Sequence, residues 1–322
     1  MSTDNPIPQY NASHFAVVDL GSNSFHLVIT QLVKTPDNQL MKTINKIKQK
    51  VRLAAGLDKN LHLTDDAISR GLNCLKIFAK HLTSIPQNNI IIVATAALRI
   101  AKNNDVFFKA ANQILPKNIQ LLSGEQEAQA IFAGVAHTSR MYEEYRNAKH
   151  LVIDIGGAST EIIVGEGNKT KKLVSLDIGC VSFLSHYFSD GLLTHTNFDL
   201  CISAAEKTLN KVSDKFIELG WQRALGSSGT IQAMSEILEQ RQQENAITLT
   251  FLLEIQQRLI ACRAIDNIDI PGLRADRKAV LASGLSILIA LFKSLNIQTL
   301  HLSNGALREG LLFELAPQAT IV

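Results

Sequence analysis

Two segments far apart in the chain share one arrangement of acidic and small residues. They are Asp19-Leu-Gly21-Ser-Asn23-Ser24 and Asp154-Ile-Gly156-Gly157-Ala-Ser159, with Asp19 matching Asp154, Gly21 matching Gly156 and Ser24 matching Ser159. A turn of this form offers backbone N–H groups without side-chain obstruction, plus a hydroxyl, and such nests bind phosphate oxygens. One such turn is ordinarily explained by turn geometry; two, each with an aspartate at the same place, point to a phosphate clamp. Asp154 and Glu161 fall on the two strands of one hairpin, so both carboxylates can approach the mouth of the turn, where hard oxygen ligands suit Mg²⁺. Asp19 is placed similarly in the first copy. Spacing alone equally allows Glu161 to be a solvent-facing strand residue.

Other residues offer weaker signals. Arg99 follows a strand ending at Thr95, where binding residues collect, and its planar fork suits phosphate; a surface helix arginine would look the same. In Leu122-Ser-Gly-Glu125-Gln126-Glu127-Ala128 a strand runs into a helix with two glutamates in its first turn. Ser123 and Gln126 form a capping box there, and acids at a helix start are stabilised by the dipole, which on spacing outweighs a catalytic reading. Leu225-Gly-Ser-Ser228-Gly229-Thr230 and Leu302-Ser-Asn304-Gly-Ala-Leu-Arg308-Glu309-Gly310 are two more small-residue turns before helices, a setting that binds anions but is often only a tight turn. Lys46, Lys48, Lys50 and Arg52 alternate with Ile47, Gln49 and Val51, putting four cations on one strand face. They would guide a polyanion or protect an exposed edge strand.

Elements must position these groups. Phe15–Ile29 and Leu151–Val164 each read as a β-hairpin, and their separation is too long for a solenoid. The repeat predicts a duplicated domain, each copy opening with strand, Gly/Ser turn and strand. Met41–Leu53 reads as a further strand. Thr64–Leu82 reads as a helix capped by Thr64, with Ile68, Leu72, Leu75, Ala79 and Leu82 inward. Ile90–Thr95 and Lys172–Leu176 read as strands; Phe198–Leu219, Ala279–Leu295 and Glu309–Leu315 read as helices. The fold class expected is α/β, with two duplicated lobes of mixed sheet covered by helices and a cleft between them. The lobe boundary is placed near Ile131, giving lobes 1–131 and 132–322, with the final helix, 309–322, crossing back to the first lobe.

The chain's 322 residues suit two domains, and 46% hydrophobic with 19% charged content is that of a globular protein. With 32 Lys plus Arg against 29 Asp plus Glu, the net charge is only +3, so attraction for polyanions must be local. Residues 1–14 read as a disordered leader without the pattern of a signal peptide, which places the protein in the cytoplasm. Ala279–Phe292 is interrupted by Ser283, Gly284 and Ser286 and reads as a buried helix rather than a membrane span. Cys74, Cys180, Cys201 and Cys262 have no ligand spacing and read as core residues in a reducing compartment. The histidines form no metal spacing, and neither a P-loop nor a G-x-S-x-G elbow is present.

Val-Asp-Leu-Gly-Ser-Asn-Ser-Phe-His at 18–26, Leu-Ser-Gly-Glu-Gln-Glu-Ala at 122–128, Val-Ile-Asp-Ile-Gly-Gly-Ala-Ser-Thr-Glu at 152–161 and Gly-Ala-Leu-Arg-Glu-Gly at 305–310 together resemble the exopolyphosphatase/guanosine pentaphosphate phosphatase family. Val51–Leu57 and the Ala158-containing turn look closer to the guanosine pentaphosphate branch. The resemblance implies actin-like, sugar-kinase-like (ribonuclease H-like) lobes and hydrolysis of the terminal phosphoanhydride of guanosine pentaphosphate or polyphosphate. It carries the general base onto Glu127, Mg²⁺-associated acids onto Asp154 and Glu161, and a phosphate-binding arginine onto Arg99. It thereby reverses the weighting of Glu127. Substrate contacts are expected from Gly21, Asn23, Ser24, Gly156, Gly157, Ser159, Ser228 and Gly229, with Asp19 as a third metal-side acid. Expected partners are a small polyanion and a second copy of the chain, without nucleic acid or membrane. Three departures stand out: Gln126 where relatives often have glutamate, Asn304 where they often have Gly or Asp, and no continuation into the C-terminal His-Asp-type helical domain of longer members. An ATP-dependent phosphotransferase of the same superfamily and a weakly catalytic guanosine tetraphosphate sensor are the rival readings.

Overall fold

The computed structural model describes residues 9–36, 38–139 and 148–321. The chain divides into two compact units, Met1–Ser123 with Arg308–Val322, and Gly124–Leu307. In chain order the first unit contains β1 (His14–Leu20), β2 (Ser24–Lys34), β3 (Gln39–Lys50), α1 (Asp65–Leu82), β4 (Ile90–Ala94), α2 (Ala96–Ile100), α3 (Asn104–Ala111) and β5 (Gln120–Leu121). There follow α4 (Gly124–Ser139), β6 (Lys149–Ile155), β7 (Thr160–Glu166), β8 (Lys169–Leu176), α5 (Cys180–Tyr187), α6 (His195–Leu209), α7 (Ser213–Leu219), β9 (Arg223–Ser227), α8 (Gly229–Gln240), α9 (Leu249–Cys262), α10 (Lys278–Leu295) and β10 (His301–Leu302). α11 (Leu307–Leu315) and β11 (Thr320–Ile321) complete the chain.

The two sheets repeat one topology. The first runs β11-β3-β2-β1-β4-β5, and the second, read from its far end, β8-β7-β6-β9-β10. Apart from β11, each copy therefore orders its strands third, second, first, fourth, fifth, the mixed sheet expected of a duplicated lobe. β1 and β6 are central and almost wholly buried, which is why both read as continuous Val/Ile/Leu runs. In each, the aspartate near the C-terminal end is only partly buried.

Register places side chains in rows across each sheet. In the first, Asp19 of β1 lies opposite His26 of β2 and Val93 of β4, and His26 lies opposite Lys48 of β3. In the second, Asp154 of β6 lies opposite Glu161 of β7 and Ser227 of β9, and Glu161 lies opposite Ser175 of β8.

α10 is apolar on nearly every side and buried accordingly. Its two buried serines are satisfied: Ser283 Oγ donates to the Cys180 carbonyl and Ser286 Oγ to that of Ala282. It ends on Asn296 in the left-handed conformation. Among the described residues the Ala275–Leu295 segment alone is long and apolar enough to cross a membrane, and 72% of its apolar window is buried within the protein. All four cysteines are free, and burial pushes the thiols of Cys74, Cys180 and Cys201 up to about 12, beyond ordinary reactivity.

Several expectations need correction. Residues 1–8 of the expected leader lie outside the described residues, but Tyr10 is buried, its N–H donates to Ser84 Oγ, and β1 starts at His14. Thr64 caps α1 as expected, accepting from the Ala67 N–H, yet the buried face is Ala67, Gly71, Cys74, Leu75, Phe78 and Leu82. Ile68, Leu72 and Ala79 are partly buried at its margin, Ile68 and Leu72 packing against the same core, and Gly71 admits Phe107 of α3 at the helix surface. The helix expected over Phe198–Leu219 breaks into α6 and α7 at Asn210–Val212, where the Val212 N–H turns back to the Leu209 carbonyl. The contacts divide at Ser123/Gly124 rather than near Ile131, since α4 packs as one helix on β7 and β8. The 309–322 segment is helical only to Leu315. Pro317 disfavours helix before it, and Thr320 and Ile321 pair in parallel with Leu40 and Met41 of β3. Lys46, Lys48 and Lys50 are exposed along β3, but Arg52 lies past the strand in the left-handed region, φ 55°, and leaves the row.

Candidate active site

The second unit gathers three carboxylates. Glu127 stands in the first turn of α4 at the head of the buried stripe Ala128, Ile131, Phe132 and Val135, and is itself only 7% exposed. Glu125 and Gln126 beside it are exposed, so the two glutamates of this turn have different environments. Because α4 packs on β7 and β8, the inward stripe carries Glu127 toward the sheet that bears Glu161, which is 1% exposed. Burial, joined by the charges of Glu127 and Asp154, pushes the Glu161 carboxyl well above the usual carboxylate range, while hydroxyls of Ser175 and Ser159 work the other way. Ser175 Oγ donates to Glu161 Oε1 at 2.7 Å, and Ser227 Oγ donates to Asp154 Oδ2 at 3.0 Å.

The Gly156 turn links β6 to β7. A Cβ on Gly156 would stand 3.0 Å from the Ser159 carbonyl oxygen, and one on Gly21 would stand 2.8 Å from that of Ser24, the same close approach in both copies. The Gly156 N–H donates to the Ser159 carbonyl. The carbonyls of Gly156 and Gly157 accept the Cys180, Val181 and Ser182 N–H groups at the start of α5, so this edge of the turn is committed internally. Ser159 is buried, and its hydroxyl serves Glu161.

At the start of α8, Ser228 caps the helix by accepting from the Ile231 N–H, in a backbone conformation of φ 117° that serine rarely adopts. Ser228→Gly is expected to raise stability by about 0.5–1 kcal/mol, since relief of that conformation exceeds the lost cap and added chain entropy; urea unfolding would measure it. A Cβ on Gly229 would fall 1.6 Å from Arg277 Nη1, so glycine is required beneath this guanidinium. Arg277 Nη2 donates to Gln232 Oε1, its Nε is buried without a partner, and desolvation pulls its pKa down. Sequence reasoning missed Arg277, which sits in an ordinary Arg-Ala-Asp-Arg-Lys run and reaches the Ser228 turn only through folding.

The first unit holds the remaining candidates. The Asn23 carbonyl accepts from the Val51 and Arg52 N–H groups, Ser24 is buried opposite Lys50, and Ser22, not singled out from sequence, accepts from the Ala97 N–H and so anchors α2. Arg99 lies on α2, and its Nη1 donates to the Leu122 carbonyl at 3.0 Å. Asp19 has Arg308 and Glu309 as charged neighbours rather than a second row carboxylate; Arg308 also contacts His26. Burial raises the Asp19 carboxyl from 3.8 to about 6, against the pull of Arg308 and with the push of Glu309. The folded protein therefore binds this proton more tightly than the unfolded chain, and the stability it gives below pH 4 is lost as pH rises through 6. Asp19→Asn is expected to stabilise the protein by about 2 kcal/mol at pH 7.5 and hardly at all at pH 3.5. Paired denaturation curves at those pH values would measure the difference.

Among the described residues no group of three or more His, Cys, Asp or Glu side chains is assembled as a self-sufficient metal site. Mg²⁺ does not require one: it commonly takes one or two carboxylates, with water and substrate phosphate completing the shell. The adjacent Asp154 and Glu161 fit that pattern. Their mutual repulsion, joined by Glu127, is what a divalent cation would relieve.

Residues 32–319 match the model of the Ppx/GppA phosphatase family. The chain belongs to that family. It is 47% identical, over 93% of its length, to a protein of Aliivibrio fischeri named guanosine-5'-triphosphate,3'-diphosphate pyrophosphatase, and 48% identical over 97% to one of that name from Pseudoalteromonas atlantica. It spans 58% and 61% of those relatives' lengths. Among solved structures it resembles an exopolyphosphatase from Cytophaga hutchinsonii with a TM-score of 0.81 at 20% identity, covering 96% of this chain and 100% of that one. It also resembles the Aquifex aeolicus PPX-GPPA enzyme with a TM-score of 0.71 at 22% identity, covering 94% and 99%. At those identities the likeness concerns the fold, and it extends over nearly the whole chain.

Proposed function

We propose that this Ppx/GppA-family chain hydrolyses the terminal phosphoanhydride of guanosine pentaphosphate, and of inorganic polyphosphate, releasing phosphate. The observation that carries the reading is the placement of three acids in the second unit: Asp154 and Glu161 opposed across β6 and β7, and buried Glu127 on the face of α4 that packs on β7 and β8. The name shared by its relatives at 47–48% identity supports the nucleotide as preferred substrate.

In this reading Glu127 orients the attacking water and accepts its proton. Glu127 is buried on the inward face of α4 whereas Glu125 of the same turn is exposed, so it is the glutamate placed beside the acids of the sheet. Asp154 and Glu161 would hold Mg²⁺, which when bound neutralises charge on the phosphate oxygens. The turns at Gly21–Ser24, Gly156–Ser159 and Ser228–Gly229 bind phosphate oxygens through backbone N–H groups, and Arg99 binds the transferring phosphoryl group. Positioning and charge neutralisation then lower the barrier, as is general for phosphoryl transfer. The reading also takes the protein as cytoplasmic and as a homodimer, the latter tested by sedimentation.

The functional test is phosphate release from guanosine pentaphosphate and from short and long polyphosphate, each with Mg²⁺ and with EDTA. Release from the nucleotide that EDTA stops is the expected result. No release from any of the three would remove the proposal.

A further inference from the structure

The carboxylate row of the second sheet is flanked on both sides by hydroxyls. Across four adjacent strands it reads Ser227, Asp154, Glu161, Ser175, and each serine donates to the acid beside it, at 3.0 Å and 2.7 Å. The corresponding row of the first sheet reads Val93, Asp19, His26, Lys48. The duplication thus supplies a direct comparison within one chain. Where the row holds a pair of carboxylates both flanks are serine, and where it holds a single carboxylate neither flank carries a hydroxyl.

We propose that Ser175 and Ser227 are positioning residues for the Mg²⁺-holding pair, with Ser175 fixing Glu161 and Ser227 fixing Asp154. This rests on the metal reading above and names the residues that make it work. A buried glutamate on a strand has rotatable bonds that only neighbouring groups can lock. Ser175 occupies the directly opposed cross-strand position, so its hydroxyl reaches the carboxylate with its own backbone held by the ladder. By donating to Oε1 it sets the carboxylate plane and helps offset the repulsion from Glu127 and Asp154 until a cation arrives. Removing such an outer partner characteristically weakens metal affinity about 10–100-fold. Neither serine touches the reacting atoms in this account; both act through the acids.

Ser175 gives the cleaner test, because Ser227 adjoins the Ser228–Gly229 phosphate turn. Mg²⁺ binding to the wild-type chain, Ser175→Ala and Ser175→Thr would be measured by calorimetry without substrate, alongside melting temperature and the Mg²⁺ dependence of phosphate release. The expected result is at least a roughly tenfold weaker Mg²⁺ affinity for Ser175→Ala, kcat largely recovered at saturating Mg²⁺, and near-wild-type behaviour for Ser175→Thr, which keeps the hydroxyl. Wild-type Mg²⁺ affinity in Ser175→Ala would overturn the assignment. So would a Ser175→Thr variant as defective as Ser175→Ala, or a wild-type chain that takes up no Mg²⁺. A wild-type chain that binds Mg²⁺ but hydrolyses neither substrate would sink the proposed function alone, and calorimetry would still decide Ser175.

Discussion

Glu127→Gln is expected to reduce phosphate release by about 10²–10⁴-fold while leaving the fold and substrate binding nearly intact. Glutamine keeps the size and hydrogen-bonding reach of the side chain and loses only the ability to take a proton at neutral pH. The competing explanation of this residue, an acid favoured by the helix dipole, predicts only a loss of roughly 0.3–1 kcal/mol of stability and no specific loss of rate. Glu125→Gln supplies the control. It removes an acid from the same first turn of α4, but Glu125 is exposed whereas Glu127 is buried, and it should remain active. Equal effects of the two changes on rate and melting temperature would return Glu127 to the dipole explanation.

Asp154→Ala and Glu161→Ala should both lose activity through the metal. The Mg²⁺ requirement is expected to rise more than the tenfold that loss of an outer partner alone produces, and excess Mg²⁺ should recover part of the rate. Glu161→Gln adds a second signature. In the metal-free protein Glu161 is driven well above 4.5 by burial and by two neighbouring charges, so the stability it gives when protonated is lost as pH rises above that value. Glu161→Gln should therefore melt higher than the wild type at pH 7.5 without Mg²⁺, and the added stability should vanish near pH 4. Mg²⁺ should raise the melting temperature of the wild type more than that of the variant. Unchanged Mg²⁺ dependence in the two alanine variants would refute the metal assignment.

Much of what each unit contributes is legible in the sequence because each hairpin is local. Asp19 and Asp154, their glycine turns and the strand carrying Glu161 lie within short segments whose apolar runs announce β-structure, so duplication can be read from spacing alone. The Glu127 turn is different. A capping pattern and a buried base give the same local sequence, and only the packing of α4 on β7 and β8 separates exposed Glu125 from buried Glu127. Ser175 and Ser227 were not legible at all, since their relation to the acids depends on strand order and register. Arg277 was hidden for the same reason, lying nearly fifty residues beyond the turn it covers. The single helix read over Phe198–Leu219 failed because Leu209 and Phe216 keep a helical spacing across the break.

In the proposed hydrolysis, water attacks the terminal phosphorus of the substrate. The most direct measurement is hydrolysis of guanosine pentaphosphate in ¹⁸O-enriched water with Mg²⁺, followed by mass analysis of both products. One solvent oxygen in the released phosphate and none in the guanosine tetraphosphate is the expected result. Label in the tetraphosphate instead, or phosphate transfer to an acceptor without solvent oxygen, would contradict it.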